Sequence, residues 1–195
     1  QAADKKDKDK KTVTERFTRA RQLMLQEFKF AEARQKFTEL IDSKDLLQPT
    51  ENWARFNAAL CSIILEKKQD AAAQFAQLST SPDLNGLAPF FAKIKQRMGT
   101  PFVPGTPPAS LGYRTDNEEI LGYLVQGLAE WHFGDAPRGA EELEDFQTYL
   151  AHIKTASAVT PAPSLDWLSL YTPLLQRYQA DIPLVRIALK GHISA

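Results

Sequence analysis

Two stretches of the chain share one helical pattern: FKFAEARQKFTELI at residues 28–41 and KQDAAAQFAQLSTS at residues 68–81. The first stretch carries a small, a large and a further apolar residue at spacings of four and three positions. The second stretch repeats these spacings 38 residues later, and a third copy follows after another 68 residues, which is twice 34. The three sets are Ala33, Phe37 and Leu40; Ala71, Phe75 and Leu78; and Gly139, Leu143 and Phe146. These spacings put each set on one helix face, where a small residue lets a second helix approach closely.

Helical periodicity continues along most of the chain and predicts an all-α protein. Apolar residues recur three and four positions apart over about 14–41, 51–79, 85–98, 117–154 and 164–180. Nothing alternates with period two for long enough to predict a strand.

The domain organisation follows from where this pattern stops. Residues 1–13 are charged and polar, and we expect a mobile leader or a frayed helical extension ahead of an N-cap at Thr14. Residues 14–195 are then expected to form a single helical domain. A proline-rich loop at about 99–116 and a connection at about 155–163 interrupt it.

The C-terminal part predicts a long helix capped by Ser164, followed by a short helix that begins at Pro183. The long helix is apolar on several sides, so we expect it to pack against other helices of the chain. Its apolar residues are Leu165, Trp167, Leu168, Leu170, Tyr171, Leu174, Leu175 and Tyr178.

A period near 34 built from helix–turn–helix units resembles the tetratricopeptide-repeat (TPR) superfamily, with degenerate motifs. The resemblance covers about 14–154 and is clearest in ILGYLVQGLAEWHFGDAPRGAEELEDF at 120–146. There Gly127 takes the small-residue position of the first helix, and Gly134 and Asp135 match the turn between helices.

The resemblance implies an antiparallel helix-pair solenoid, TPR-like, with about three helix pairs, one broken repeat and a C-terminal capping helix. The broken repeat begins near Gly86, where the proline-rich loop replaces a second helix. Two features depart from the family pattern: Arg21 occupies the small-residue position of the first pair, and the proline expected after each second helix is missing.

The same resemblance implies a partner-binding groove on the concave side, lined by the first helices of two repeats. In this chain eight apolar residues would line it: Trp53, Phe56, Leu60, Ile63, Leu121, Leu124, Leu128 and Trp131. A patch of that size needs a cover in water. The cover is either the chain's own C-terminal helix or a helix or peptide from a protein partner.

Composition narrows the classes of partner. Lys and Arg number 24, as do Asp and Glu, so the net charge of zero gives no basic excess for nucleic acid. No apolar run reaches the roughly 18 residues of a membrane span. The single cysteine, Cys61, lies in an apolar helical run and is expected to be a buried, inert thiol. The oligomeric state stays open.

Motifs for chemistry are missing from the sequence. His132 and Asp135 lack a third residue at metal-ligand spacing, and no nucleophile elbow or phosphate-cradling loop occurs. Glu141, Glu142 and Asp145 are expected on a solvated helix face. We therefore expect no catalytic residue, no metal site and no cofactor.

The start of the chain bears on localisation. The sequence begins with Gln1 instead of Met. This start fits the mature end left by signal-peptide removal, which would make the protein periplasmic or secreted. It fits equally an arbitrary boundary in the sequence of a cytoplasmic protein.

These observations predict a non-enzymatic helical-repeat protein, a scaffold for protein–protein interaction or assembly through an apolar concave groove. One alternative is a structural module whose groove is filled by its own C-terminal helix. The other is a small-molecule carrier or an enzyme, for which convergent Glu130, His132 and Asp135 side chains would be the sign.

Overall fold

A computed structural model describes residues 2–82, 87–104, 116–157 and 166–182. Over these residues the chain forms eight α-helices and one 3₁₀ helix, with no strand, so the all-α prediction is confirmed. In chain order the helices are α1 (Ala2–Leu25), α2 (Phe30–Asp42), α3 (Gln48–Ile64), α4 (Lys68–Leu78), α5 (Ala88–Met98), α6 (Asp116–Phe133), α7 (Ala136–Ser157), the 3₁₀ helix Asp166–Tyr171, and α8 (Thr172–Gln179).

The chain divides into two compact units, Gln1–Gly99 and Thr100–Ala195. In the first, each helix packs antiparallel on the next, from α1 through α5. In the second, α6 and α7 form a closely packed pair, and α8 contacts α7 and the 3₁₀ helix.

The turns that join α1 to α2, α3 to α4, and α6 to α7 share a backbone feature. Each contains one residue with positive φ: Phe28 (55°), Glu66 (59°) and Gly134 (151°). These residues are 38 and then 68 positions apart, the same offsets as the apolar stripes. The residues that follow Phe28 and Glu66, Lys29 and Lys67, have nearly equal backbone angles, with φ of −90° and −96° and ψ of 71° and 72°.

Hydrogen bonds explain why two of these turns end their helices in the same way. The backbone N–H of Lys67 donates to the carbonyl of Ser62 at 2.8 Å, and that of Asp135 donates to Glu130 at 2.7 Å. With a left-handed residue before the donor, as Glu66 is, such a bond gives the Schellman ending of a helix; at Gly134 the same bond forms with a φ of 151° instead. In the first turn, Lys29 reaches back six residues to Leu23, also at 2.8 Å, so that turn is one residue wider.

The apolar stripes lie in the core of their units, as the spacing predicts. The small residues Ala33, Ala71 and Gly139 are all buried. So are the six larger members of the stripes, none more than 1% exposed: Phe37, Leu40, Phe75, Leu78, Leu143 and Phe146.

Aromatic rings fill the core of the first unit. Phe91 of α5 lies 6.0 Å from Phe56 of α3 and 6.2 Å from Phe75 of α4, measured between ring centroids. Phe17 of α1 meets the edge of Phe37 at 5.7 Å. These ring contacts link α1 with α2, and α5 with both α3 and α4.

Two predicted helix boundaries differ from the structure. Helix α1 begins at Ala2, not at the expected cap Thr14, since the leader is rich in lysine, a good helix former, and contains no proline or glycine. Helix α7 continues to Ser157, into the expected connection at 155–163, because the first proline there is Pro161.

The expected long C-terminal helix is divided at its middle. Its first half is the 3₁₀ helix, and α8 then begins with Pro173 in its first turn. Proline has no N–H to donate and disfavours α-helix in the residue before it, so the continuous helix is broken at Thr172. The expected cap at Ser164, the helix at Pro183 and residues 105–115 of the proline-rich loop lie outside the described residues.

Candidate functional site

On α3, the predicted groove residues are already covered by protein. Phe56, Leu60 and Ile63 have no exposed surface, and every residue from 56 to 63 is buried. A helix that is buried on all sides belongs to a core rather than to an open surface. Trp53 is the exception: it is half-buried, with the Phe56 ring edge-on at 5.8 Å.

On α6, the predicted groove residues follow the same rule. Leu121, Leu124 and Leu128 are at most 1% exposed, and Trp131 is half-buried. The two tryptophans are thus the members of the predicted groove that keep contact with solvent. The α3 set belongs to the first unit and the α6 set to the second.

Tyr178 of α8 covers the end of α6. Its ring lies edge-on to Trp131 with centroids 5.1 Å apart, and its hydroxyl is 2.5 Å from Nε2 of His132. Gln179 Nε2 donates a hydrogen bond to Gln147 Oε1 of α7 at 2.8 Å. The apolar residues Leu174 and Leu175 are buried beside these contacts, so α8 packs over the α6–α7 pair as a cap.

Two glycines set how closely α6 and α7 approach. A Cβ atom at Gly139 would lie 2.5 Å from the Trp131 backbone nitrogen and 2.6 Å from the Gly127 carbonyl oxygen. A Cβ atom at Gly127 would lie 2.9 Å from Leu143 side-chain atoms and 3.2 Å from the Cβ of Glu142. The pair therefore crosses at a distance that only glycine allows at position 139, and Glu142 lies at this crossing.

Sequence reasoning missed a group of charged side chains at the same crossing. Glu130 of α6 is 1% exposed, and its Oε1 lies 3.6 Å from Nε of Arg138 on α7. Glu142, one turn beyond Arg138, is half-buried rather than solvated as expected, while Glu141 and Asp145 are exposed. The signal in the sequence was the position of Glu142 beside Leu143, on a helix that must pack against Gly127.

Burial and charge act together on Glu142. Loss of water around the carboxyl group, and then the neighbouring Glu130, raise the pKa of Glu142 to about 8, and the Arg138 guanidinium opposes this rise. Desolvation also raises the pKa of Asp145 above its usual value, with Glu144 adding to the effect. Glu142 is therefore a carboxyl group that holds its proton at neutral pH.

Glu130, His132 and Asp135 have separate partners instead of converging. Glu130 faces Arg138, His132 meets Tyr178, and Asp135 accepts a hydrogen bond from the Arg138 backbone N–H at 3.4 Å. Across the described residues, no group of three His, Cys, Asp or Glu side chains is arranged to hold a metal ion.

Cys61 is buried, as predicted from its apolar surroundings. Burial raises the pKa of its thiol, because no water stabilises the thiolate. A thiol in this state is unreactive.

The first residues of the proline-rich loop are fixed against the α6–α7 turn. Phe102 is buried, and its ring lies 5.9 Å from that of Phe133. A Cβ atom at Gly134 would lie 2.4 Å from the Phe102 carbonyl oxygen, so glycine is needed both for this contact and for its φ of 151°.

The described part of the molecule is thus an all-α protein of sequentially packed antiparallel helices, and none of its helices is long and apolar enough to cross a membrane. The chain matches no protein-family model, no curated protein and no solved structure.

Proposed function

We propose that this chain is a TPR-like helical-repeat protein that mediates protein–protein interaction or assembly and catalyses no reaction. The observation that carries the proposal is the recurrence of one unit: a positive-φ turn at Phe28, Glu66 and Gly134, each followed by a helix with a buried small–large–apolar stripe. Helix pairs that repeat in this way build extended surfaces, and proteins use such surfaces to hold other proteins.

Trp53 in the first unit and Trp131 in the second are, each taken by itself, candidate anchors for a partner. Both keep solvent contact, whereas the other six groove residues are buried and serve to hold α3 and α6 in place. Tryptophan is one of the residue types enriched among the few interface residues that contribute most to protein–protein binding energy. A partner that offers apolar or aromatic side chains would bury them.

The structural module with a self-filled groove is the second candidate function. It is supported by Tyr178, which already occupies the surface of Trp131 and is hydrogen-bonded to His132. In this form α8 is a permanent part of the second unit, and contacts to other proteins use the outer helix faces.

Capture of partners by the tagged full chain tests the first proposal. Proteins bound from the native organism would be compared between wild type, Trp53→Asp and Trp131→Asp, with Leu47→Asp as the control because Leu47 is the most exposed large apolar residue described, at 76%. We expect one set of proteins to be bound by wild type and Leu47→Asp and lost from a folded tryptophan variant. Equal capture by all four would contradict binding through either tryptophan.

Tyr178→Ala separates the two candidates. If α8 only covers a binding surface, removing the Tyr178 ring should increase capture while urea stability changes little. If α8 is a permanent cap, stability should fall by about 3 kcal/mol or more without any gain in capture, as for other buried aromatic residues replaced by alanine. Circular dichroism would verify that each variant is folded before capture is compared.

A further inference from the structure

The segment TPFVP at residues 100–104 carries two prolines three positions apart, Pro101 and Pro104, and forms no helix or strand. Each proline fixes its own φ at about −65°. The residue before each proline, Thr100 or Val103, is biased toward extended or polyproline II angles. The sequence therefore restricts four of the five residues to angles that a polyproline II helix can use.

Exposure along this segment follows the three-residue turn of such a helix. Phe102 is buried, at 7%, whereas the two residues on either side of it are exposed. In a helix with three residues per turn, residues 100 and 103 share one edge, residues 101 and 104 share a second, and residue 102 lies on the third. The third edge therefore faces the protein, and the two edges that carry the x-Pro pairs, 100–101 and 103–104, face solvent.

Phe102 fixes the segment against the α6–α7 turn of the same unit. Its ring lies 5.9 Å from the ring of Phe133, and its carbonyl oxygen would lie 2.4 Å from a Cβ atom at Gly134. Only glycine lets the backbone of Phe102 approach the turn this closely. Because the segment is already held in place, little conformational entropy is lost when a partner binds it.

The exposed edges fit one kind of protein surface. Domains that recognise P-x-x-P peptides bind a preformed polyproline II helix in a groove lined by aromatic side chains. Val103 is 52% exposed and adds an apolar side chain next to Pro104. Residues 100–104 contain no charged side chain, so they offer nothing to the phosphates of nucleic acid or of an anionic membrane.

We propose that residues 100–104 are a docking peptide for a protein domain with an aromatic-lined, polyproline-binding groove of the SH3 or WW type. The two x-Pro pairs contact the groove, and Phe102 holds them in position from the opposite edge. This role is independent of the tryptophan anchors, because here the partner supplies the groove and this chain supplies the peptide.

Titration of the full chain against a panel of purified SH3 and WW domains tests the proposal. We expect at least one domain to bind the wild-type chain and to release it when a proline-rich peptide fills the groove of that domain. Pro101→Ala and Pro104→Ala should each weaken binding by about tenfold or more, as for other main anchors of an interface. Pro49→Ala is the matched control and should bind as wild type does, because Pro49 is also exposed but lies in the first turn of α3.

A second measurement locates the contact within the chain. Addition of the bound domain should shift the methyl NMR signals of Val103 and leave those of Leu47, an exposed residue of the first unit, unchanged. Circular dichroism verifies that each proline variant is folded. Absence of binding by every domain of the panel would overturn the proposal, and so would equal affinity of Pro101→Ala, Pro104→Ala and wild type.

Discussion

Gly139 lies where α6 and α7 cross, and the atoms that a side chain would meet there belong to the backbone. The Trp131 nitrogen and the Gly127 carbonyl oxygen are part of α6 and cannot move without bending that helix. Flexible side chains, by contrast, adjust to small intrusions by a change of rotamer. The chemical nature of the neighbour therefore decides the cost of adding a methyl group.

Gly139→Ala should accordingly destabilise the second unit by about 1–3 kcal/mol, the usual cost of overpacking. Gly99→Ala is the matched control, because the nearest atom to a Cβ there, the Gln96 carbonyl oxygen, is 3.4 Å away. Urea denaturation followed by circular dichroism measures both. Equal stability of the two variants would show that the helices do not cross as closely as described.

Gly127→Leu at the same crossing should also cost on the order of 1–3 kcal/mol. The Gly127 Cβ would meet Leu143 side-chain atoms at 2.9 Å, so Gly127→Ala, which Leu143 can accommodate by moving, should cost clearly less than Gly127→Leu. Denaturant melts that place Gly127→Leu at wild-type stability would contradict the packing of α6 on α7.

At the scale of helices, Arg34 connects three of them. From α2, its Nε donates to Ser62 Oγ of α3 at 2.9 Å, and its NH2 pairs with Asp70 Oδ2 of α4 at 2.6 Å. Ser62 is 1% exposed, whereas the Asp70 side chain is 49% exposed. Loss of the bond to Ser62 should therefore lower the free energy of unfolding more than loss of the bond to Asp70.

Arg34→Met, which removes the charge and keeps the aliphatic stem, should cost about 1–3 kcal/mol, because a buried hydroxyl loses its donor. Asp70→Asn should cost less than about 1 kcal/mol, because the exposed ion pair is screened by water. Urea unfolding of both variants and of the double variant gives the coupling between the two sites. A larger loss of stability for Asp70→Asn than for Arg34→Met would show that the ion pair with Asp70, and not the hydrogen bond to Ser62, is the stabilising contact.

At the scale of the whole molecule, sequence spacing predicted the burial of residues that belong to a repeated pattern. It missed the surroundings of residues that belong to no repeat. Ala33, Ala71 and Gly139 were predicted as inward-facing because each belongs to a periodic set, and all three are buried. Glu142 was placed in solvent because the pattern of α7 alone does not reveal how α6 lies against it. The burial of Glu130 on α6, likewise, depends on the packing of α7 against it.

Three further structural features could not be predicted from the periodicity of apolar residues. Residues 56–63 are all buried, so α3 is covered on every side. A periodic apolar stripe predicts burial of one helix face only. The break before α8 occurs at Pro173, and the helical spacing of the apolar residues on both sides of it continues across the break. Phe102 lies in a segment without periodic pattern, so its contact with Gly134 could only be found in three dimensions.

The equivalence of the repeats can be tested by making the same change at the same place in two of them. Ala33 of α2 and Ala71 of α4 are fully buried 38 positions apart, so Ala33→Leu and Ala71→Leu should each cost about 1–3 kcal/mol from overpacking. Ala31 and Ala73, on the same helices, are exposed and provide the controls.

Ala31→Leu and Ala73→Leu should change the free energy of unfolding by no more than about 0.5 kcal/mol. Urea denaturation compares the four variants. A loss at Ala71 without a comparable loss at Ala33 would mean that α2 and α4 do not occupy equivalent positions, and the helical-repeat interpretation would then lose its structural basis. Comparable losses at both buried positions, with neither control affected, would support one repeating unit as the element from which the first unit is built.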